Sequence, residues 1–526
     1  MLFNIQSEYS FLESTLRLNK YAIKAKEYGY QSIGIADTHV LYGALELYQL
    51  AKKHHLRPLI GLRVILPGIV DSEVPYEFLL YATSKIGYYH LGQLSRQLLT
   101  DSVDTSVIWQ YLQYQAQDLV YISSSNQNEL LYAMVRDQTD QIQQLHNFLV
   151  QIFGQDKIYI GVNLFPSNEY ELKQVDKWSK KLDIPVIISQ YIHALNSEDG
   201  SSIQMLQSIK ANQPMTKDLL DHQTEYYMRP YHIVKEQCAC LGYTEWLTNT
   251  SKLEANIAIQ IEPNKEVLPQ FHIPETFDHS ASYLKHLVMQ RLTVLGLSQK
   301  NSYIQRIEHE LQIIHQMGFD DYFLIVWEII QYCHQQKIPV GPGRGSAAGS
   351  LIAYLLEITQ VDPLEYNLIF ERFLNPERLS LPDIDIDISD ESRSRVIHFL
   401  AQVYGENQVA QIITFSRFGA KSVLRDILKA LEVDEKTTKQ WLQLLPSSTN
   451  TTLSLKSAYD QSEAFRDYVH ASKINEQIYR MGTTLDGLPR QSSTHAGAVV
   501  ISQQPIDQLI PCLLYTSDAA DDIALV

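Results

Sequence analysis

The alternation of hydrophobic and polar positions along this 526-residue chain predicts several regions of different architecture. Before residue 200, short apolar runs alternate with stretches of helical periodicity. Strand-like runs occupy 32–36, 58–65, 119–122, 157–162 and 184–188, and helical patterns occupy 16–28 and 45–54. Strands separated by helices are typical of parallel βα units. We therefore expect a barrel-like α/β domain in this part of the chain.

Helical patterning dominates from Ser201 to Gln336. Three prolines between Ile261 and Phe277 interrupt it, which predicts a linker and a domain boundary there. Residues 416–480 are polar and mostly helical in pattern, and a strand-like run follows Gly497. The fold class expected from these patterns is a multidomain protein with α/β and α parts.

An alternation of acid and isoleucine, Pro-Asp-Ile-Asp-Ile-Asp-Ile, covers residues 382–388. A strand with this period places Asp383, Asp385 and Asp387 on one face and the isoleucines on the other. Like charges side by side repel, and Asp is a poor strand former. Mg²⁺, a hard cation with oxygen ligands, would relieve the repulsion. A solvated edge strand is the alternative interpretation.

A glycine-rich stretch, GPGRGSAAGS, covers residues 341–350 and precedes the apolar helical run 351–356. Glycines permit positive φ angles and close backbone approach to a ligand. A helix start after such a loop is expected to point free N–H groups at an anion. Arg344 and Ser346 add a positive charge and a hydroxyl donor, so the stretch predicts a phosphate site. It is not a Walker A loop and matches a dinucleotide pattern only weakly. A tight turn without a ligand is the alternative.

A series of basic residues, Arg417, Lys421, Arg425 and Lys429, repeats every four positions. On a helix this spacing gives one basic stripe, which predicts contact with a nucleic-acid backbone. A solvated helix face explains the stripe equally well. A phosphate-binding loop combined with a metal-binding acidic segment is the combination that nucleotidyl transfer requires.

The overall composition excludes other classes of protein. Hydrophobic residues make up 45% of the chain, and the net charge is −17, which argues against a general nucleic-acid coat but allows a local basic channel. Four scattered cysteines give no disulfide framework. The sequence shows no signal peptide and no apolar run long enough to cross a membrane. We expect a cytoplasmic protein.

Four segments resemble the alpha subunits of bacterial DNA polymerase III, the family C replicative polymerases. The segments are VGPGRGSAAGSLIAYLLEIT (340–359), FERFLNPERLSLPDIDIDI (370–388), GFDDYFLIVWEII (318–330) and LPRQSSTHAGAVVIS (488–502). The resemblance implies a PHP-type α/β barrel (polymerase and histidinol phosphatase) and a polymerase-beta-like nucleotidyltransferase palm with an inserted helical thumb. The implied domains are PHP 1–254, palm 255–415 with re-entry at 491–511, and thumb 416–490.

The resemblance also implies the chemistry of each site residue. Asp385 and Asp387 would be catalytic and hold two Mg²⁺ ions. The incoming dNTP would bind at Arg344, Gly345 and Ser346. The primer-template DNA would bind at Arg417, Lys421 and Arg425. The full-length protein would also contact a sliding clamp and other replisome proteins.

The chain departs from the PHP pattern of the family at its metal-binding positions. Asn4 and Gln6 replace a histidine pair, Thr38 replaces another histidine, Arg63 replaces a glutamate and Tyr191 replaces an aspartate. Amide, hydroxyl and guanidinium groups do not replace carboxylate and imidazole ligands. We therefore expect no PHP metal cluster, a structural role for the domain, and proofreading by a separate exonuclease.

A second departure concerns the end of the chain. The resemblance places a third palm carboxylate beyond Thr494–Gly497, and no strand resembling it occurs. Residues 512–526 resemble a translated sequencing adapter, so we expect them to form no part of the native fold. We expect a DNA polymerase whose fragment as given is inactive. The alternatives are a non-catalytic DNA-binding or scaffold fragment and, from another enzyme class, a PHP metal-dependent phosphoesterase.

Overall fold

The computed structural model describes residues 1–99, 104–123, 127–165, 169–261, 269–377, 382–446, 453–509 and 524–525. Contacts divide the chain into two units. Unit 1 comprises Met1–Glu262 and Phe415–Ser492, and unit 2 comprises Pro263–Thr414 and Ser493–Val526. Among the described residues, no helix combines the length and apolar character that crossing a membrane requires.

Unit 1 contains a six-stranded sheet whose spatial order follows the chain. The strands are β1 Ser32–Thr38, β2 Arg57–Pro67, β3 Pro75–Ala82, β4 Leu119–Ser123, β5 Ile158–Val162 and β6 Val186–Ile188. The pairs β1–β2, β4–β5 and β5–β6 are parallel, as the βα pattern predicts. No strand is predicted from the sequence at the position of β3, which pairs antiparallel with both β2 and β4. The short connection from Pro67 to Pro75 allows only a hairpin there, because a parallel crossover needs a dozen or more residues.

Among the described residues of the first segment of unit 1, ten helices accompany this sheet. They are α1 Leu18–Glu27, α2 Ala44–Lys53, α3 Lys85–Leu98, α4 Thr105–Gln115, α5 Glu129–Val135, α6 Thr139–Phe153, α7 Glu169–Leu182, α8 Gly200–Ala211, α9 Tyr231–Cys240 and α10 Thr244–Asn256. Helix α6 buries Ile142, Leu145, Leu149 and Phe153, at the three- and four-residue spacing of one helix face. Strands β1 and β4 are buried nearly throughout, as expected for strands covered on both faces.

Unit 2 is mostly helical and contains the acidic segment and the glycine-rich stretch. Its helices are α11 Ser280–Val294, α12 Asn301–Gln316, α13 Asp320–Gln335, α14 Leu351–Leu355 and α15 Asp390–Tyr404. Its core is built around α13, which is buried on nearly all sides. A small sheet has the order β7 Val409–Arg417, β8 Pro489–Ile501 and β9 Ala524–Leu525. Most of the adapter-like tail lies outside the described residues.

The second segment of unit 1 is a helical group. Its helices are α16 Ala420–Ala430, α17 Glu435–Gln443, α18 Leu455–Gln461, α19 Glu463–His470 and α20 Lys473–Leu485. Serines at 454, 462 and 472 cap the last three helices by accepting backbone N–H bonds. The apolar faces of these helices share one core with Leu206, Met215 and Leu220 from the first segment. Two stretches far apart in sequence therefore build a single hydrophobic core.

Candidate functional site

The acidic segment of unit 2 keeps the alternation that its sequence predicts. Ile384 and Ile386 are 1% and 3% exposed, whereas Asp383 and Asp387 are exposed and Asp385 is half-buried. The segment is extended but is not a regular strand. It makes an isolated bridge between Ile388 and Val340, immediately before the glycine-rich stretch. The aspartates therefore emerge from an apolar base that is packed into the unit 2 core.

The glycine-rich stretch lies directly against the acidic segment. The Gly341 N–H donates to the Asp387 carbonyl at 2.9 Å. A Cβ atom on Gly341 would lie 2.8 Å from the Asp387 Cβ, closer than real Cβ contacts allow. Gly345 adopts φ +68°. A Cβ atom added to it would lie 3.9 Å from Asp385 Oδ2. Glycine is required at 341 by this close approach and favoured at 345 by the positive φ.

Arg344 joins the two acids that the sequence singled out. Its Nε lies 3.1 Å from Asp387 Oδ1, and its Nη2 lies 3.4 Å from Asp385 Oδ1. One guanidinium reaches both carboxylates, so they lie on the same side of the segment and close to each other. The Arg344 side chain is 45% exposed, which leaves this ion pairing open to solvent and to a competing cation.

Ser346 lies on a short 3₁₀ turn, Gly345–Gly349, and is exposed. The prediction that the following helix presents free N–H groups to an anion is wrong. The Glu310 carboxylate accepts the N–H groups of Leu351 and Ile352 at 2.9 and 3.0 Å, and also the Ser350 hydroxyl. Any phosphate contact of this stretch therefore has to come from the exposed turn and from Arg344.

Glu310 is a structural residue that sequence reasoning missed. It is fully buried on α12, and the Arg306 Nε donates to its carboxylate at 2.6 Å. Arg306 Nη2 also donates to the carbonyls of Gly349 and Leu368. The sequence signal was an Arg and a Glu four residues apart on a helix, which usually indicates a solvated surface pair. Nothing in that spacing shows that the pair supports the base of the glycine-rich stretch.

The carboxylate pair has the donor chemistry that Mg²⁺ prefers. Carboxylate oxygens are hard ligands, and two of them can bind magnesium while water or phosphate oxygens complete the coordination. Among the described residues, no group of three or more His, Cys, Asp or Glu side chains is arranged to hold a metal ion. Asp385 and Asp387 thus fit a magnesium site as a pair of ligands.

The basic stripe is shorter than predicted. Helix α16 begins at Ala420, so Arg417 lies at the end of β7 and is not part of the helix. Arg417 donates to the Gly487 carbonyl at 2.9 Å, and Lys429 donates to the Asn212 side chain. Lys421 and Arg425 are exposed, and neither makes a hydrogen bond or ion pair with the described residues. The solvent face of α16 therefore presents two unpaired cations.

In unit 1, the positions that depart from the PHP metal pattern meet around one cavity of about 430 Å³. Asn4, Gln6, Thr38, Arg63 and Tyr191 all line it. Arg63 is 2% exposed and pairs with Glu77 at 2.8 Å. Its guanidinium also donates to Asn4 Oδ1 and lies 5.3 Å from the Tyr191 ring centroid. The Arg63 guanidinium therefore contacts positions at which the family pattern has metal ligands.

Two acids and one histidine of the PHP pattern remain: Asp37, Glu46 and His193. Glu46 accepts a hydrogen bond from the Tyr9 hydroxyl at 3.1 Å, and His193 lines the cavity. Asp37 is buried and accepts from the Ser7 and Ser10 hydroxyls at 2.6 and 2.7 Å. Burial raises the pKa of Asp37. Burial, with the nearby charge of Arg63, lowers the pKa of His193 to about 4. His193 is therefore neutral at pH 7.

Comparison with known families gives the class of protein that these features define. Residues 3–164 match the model of the PHP domain, and residues 282–524 match that of the bacterial DNA polymerase III alpha NTPase domain. The chain is similar to three relatives described as DNA polymerase III subunit alpha. They come from Halalkalibacterium halodurans (33% identity, 99% of this chain and 47% of the relative), Bacillus subtilis (33%, 96% and 45%) and Staphylococcus epidermidis (34%, 97% and 44%). The chain belongs to the bacterial DNA polymerase III alpha family, and it spans about half the length of these relatives.

Proposed function

We propose that this chain carries part of the catalytic centre of a replicative DNA-directed DNA polymerase. The reaction is attack of a primer 3′-hydroxyl on the α-phosphorus of a dNTP, with pyrophosphate leaving. The observation that carries the proposal is the sharing of one guanidinium, Arg344, by Asp385 and Asp387 beside the glycine-rich stretch. Family membership supports this assignment, because the relatives are described as polymerase subunits.

Each residue of this site has a proposed task. Asp385 and Asp387 would hold two Mg²⁺ ions, which supply charge stabilisation for the attacking and leaving oxygens. Arg344, once released from the aspartates, would bind the triphosphate through its planar donors. Gly345 would let the backbone approach the phosphates closely, and the exposed Ser346 would donate its hydroxyl. The apolar base of Ile384 and Ile386 keeps the two acids in place.

The proposed division into domains follows the family pattern. A PHP domain covers 1–254, the palm covers 255–415 and re-enters at 491–511, and the thumb covers 416–490. Lys421 and Arg425 of the thumb would contact the phosphates of the primer-template duplex. Arg417 is a weaker candidate, since its guanidinium already donates to a carbonyl and lies near Glu8. A sliding clamp and a separate proofreading exonuclease are the proposed protein partners.

Nucleotide binding tests the site without requiring turnover. The 526-residue chain should bind a fluorescent dNTP in the presence of Mg²⁺, and the double variant Asp385→Asn, Asp387→Asn should lose that binding. Asp383→Asn is the matched control, because Asp383 lies on the same face of the same segment. Equal binding by all three proteins would refute the proposed metal site.

We further propose that the 526 residues alone incorporate little or no nucleotide. The family pattern places a third palm carboxylate beyond residue 497, and the sequence shows no segment resembling that site. Primer extension should be restored when the natural C-terminal part is supplied. Robust incorporation by the chain alone, abolished in Asp385→Ala, would show that its centre is complete. A scaffold role is the rival outcome if neither preparation extends a primer.

The proposed role of the PHP part is structural, without metal-dependent phosphoesterase activity. The Arg63 guanidinium supports this, because a buried positive charge opposes cation binding nearby. Metal analysis of the whole chain tests it, since residues 1–254 share a core with 418–488. Two or three stoichiometric transition-metal ions per chain would overturn the proposal.

A further inference from the structure

The cavity around Arg63 has features that the proposed structural role of the PHP part does not use. It lies within unit 1, and its volume of about 430 Å³ is in the range of small-molecule sites. Its lining combines carboxamide, hydroxyl and aromatic side chains with charged and apolar ones. A cavity with this mixture can bind a ligand that has both apolar and hydrogen-bonding surface.

The charges around the cavity cancel. Arg63 pairs with Glu77 at 2.8 Å, and Lys210 near the opening pairs with Glu13. The other titratable residues of the lining are His193 and two tyrosines. His193 is neutral at pH 7. A free anion would meet Glu13 and Glu77, and a metal ion would meet Arg63 and Lys210. The electrostatic balance therefore favours an uncharged ligand over either kind of ion.

Three groups in the lining can form hydrogen bonds with a ligand. The Arg63 Nε–H is buried and has no partner among the described residues. The Tyr226 hydroxyl, also in the lining, makes no hydrogen bond with the described part of the chain. The Gln207 side chain is exposed and also lines the cavity. Donors and acceptors of this kind match hydroxyl groups, which both donate and accept.

The cavity also offers aromatic surface. The rings of Tyr191 and Tyr226 lie with centroids 5.0 Å apart at an interplanar angle of 57°. Two tilted rings form an angular wall against which the apolar face of a saturated ring or the plane of a base can pack. An aromatic wall beside amide and hydroxyl groups suits a ligand with one apolar face and a polar rim.

We propose that this cavity is a metal-independent binding site for an uncharged, polyhydroxylated ring, either a free sugar or the sugar of a nucleoside. Arg63 Nε would donate to a ring or hydroxyl oxygen, and Tyr226 and Gln207 would bond the remaining hydroxyls. The ring would pack on Tyr191 and Tyr226. This site is separate in its residues from the proposed nucleotidyl-transfer site and does not depend on it.

Ligand-observed NMR and calorimetry with the 526-residue chain test the proposal. The probes are ribose and glucose, adenosine and cytidine, inorganic phosphate, and Zn²⁺. We expect at least one neutral probe to bind with a dissociation constant on the order of 1 mM, ordinary for so small a ligand. Binding of sugars identifies a sugar site, and binding of nucleosides alone identifies a nucleoside site.

Variants decide whether any binding occurs in this cavity. Tyr226→Phe removes only a hydroxyl that bonds none of the described residues, so folding should be unaffected while binding weakens about three- to tenfold. Tyr114→Phe, at an exposed position on α4, is the matched control and should bind normally. Absence of binding by every neutral probe, tighter binding of phosphate or Zn²⁺, or equal binding by both variants would overturn the proposal.

Discussion

Arg63 and Arg344 both lie beside carboxylates, and their different burial separates their roles. Arg63 is enclosed and pairs with Glu77, so its guanidinium is a fixed part of unit 1. Arg344 is about half exposed and spans Asp385 and Asp387 in unit 2. An exposed ion pair contributes little stability and exchanges readily with other ions. We therefore expect Arg344 to release the aspartates on binding of the proposed divalent cation.

Replacing Arg344 by Gln should make the acidic pair a better cation site. The variant loses a competing positive charge, so Mn²⁺ should bind about two- to fivefold more tightly, as expected when exposed ion pairs are removed. Binding of dNTP should weaken, because the proposed phosphate contact is lost. Electron paramagnetic resonance of Mn²⁺ measures the first effect. Arg395→Gln, an exposed substitution on α15, is the control, and equal Mn²⁺ affinity in both variants would contradict the prediction.

His193 should make the stability of unit 1 depend on pH. Its folded pKa of about 4 lies below the ordinary value of 6.5, because burial and Arg63 disfavour the charged ring. The stability that unit 1 gains from a neutral His193 is therefore fully present above pH 6.5, and it is lost as the pH falls toward 4. At pH 5 the loss should be about 2 kcal/mol.

Urea unfolding at pH 7 and pH 5 measures this effect. Between the two pH values, the unchanged protein should lose about 2 kcal/mol more stability than the His193→Gln variant does. His222→Gln, at an exposed position, should behave like the unchanged protein. Parallel curves for all three proteins would show that His193 does not control the acid sensitivity.

At the residue scale, the sequence predicts what depends on neighbours in the chain. The alternation of Asp385 and Asp387 with buried isoleucines follows from the period of an extended backbone. The bridging position of Arg344 and the role of Glu310 depend on packing between distant segments. No local pattern encodes such contacts, so the assignment of the helix N-terminus to an anion was wrong.

At the element scale, the start of α16 decides which cations face solvent. Gly419 precedes the helix, and the Gly419 N–H donates to the Ser422 hydroxyl, which helps fix the first turn. Buried Val423, Leu424, Ile427 and Leu428 occupy one face of the helix, so Lys421 and Arg425 lie on the other. This arrangement leaves the predicted DNA contact with Lys421 and Arg425, two of the three residues that the resemblance implies.

Neutralising Lys421 and Arg425 together should weaken binding to duplex DNA. Each phosphate contact releases counterions, so the log–log salt dependence should flatten by roughly one unit per lost contact. Fluorescence anisotropy over a series of salt concentrations measures the slope. The double variant Lys436→Gln, Lys439→Gln on α17 removes the same charge and is the control. An unchanged slope in the α16 variant would remove that helix from the interface.

Glu310 connects α12 to the start of α14, and its loss should destabilise unit 2. Glu310→Gln leaves the Arg306 charge without its partner and replaces an acceptor oxygen by a donor facing other donors. Breaking a buried ion pair in this way costs about 3 kcal/mol. Glu308→Gln, exposed on the same helix, should cost almost nothing. Urea unfolding compares the two, and equal midpoints would contradict the assigned role.

The apolar runs of the sequence predict most strands of the sheet, but they do not predict every strand's pairing direction. Strands β1, β2, β4, β5 and β6 coincide with the predicted runs to within a few residues. Strand β3, PYEFLLYA, was missed, since its short apolar run does not stand out beside the longer β2. Pairing direction depends on connection length. The missed strand β3 lies between β2 and β4 and pairs antiparallel with both.

At the scale of the whole molecule, unit 1 is built from two segments separated by all of residues 263–414. Trp441 and Phe465 from the second segment share a core with Met205 and Leu206 of α8. The motifs predict a PHP part and a thumb as separate functional domains. They give no sign of this shared core, because hydrophobic patterning shows which faces are apolar but not which faces meet.

Residues 1–254 produced alone should therefore expose apolar surface and associate with one another. Removing 415–492 uncovers Met205, Leu206, Met215 and Leu220, which are buried in the complete unit. Exposed apolar patches of this kind favour association. We expect dye binding by exposed hydrophobic surface and self-association in sedimentation experiments. Substituting Leu206 and Leu220 by Gln should reduce both effects in the short protein, and a monomeric, dye-free 1–254 would contradict the expectation.

The shared core also sets an order of events during synthesis. Leu206 leaves the ribosome long before Leu488, the last buried member of the same core. At the usual rate of elongation, the early segment waits roughly a quarter of a minute to a minute for its partner. During that interval the nascent chain presents an unfinished apolar face. A chaperone that shields emerging polypeptides would have its greatest effect on this protein in that interval.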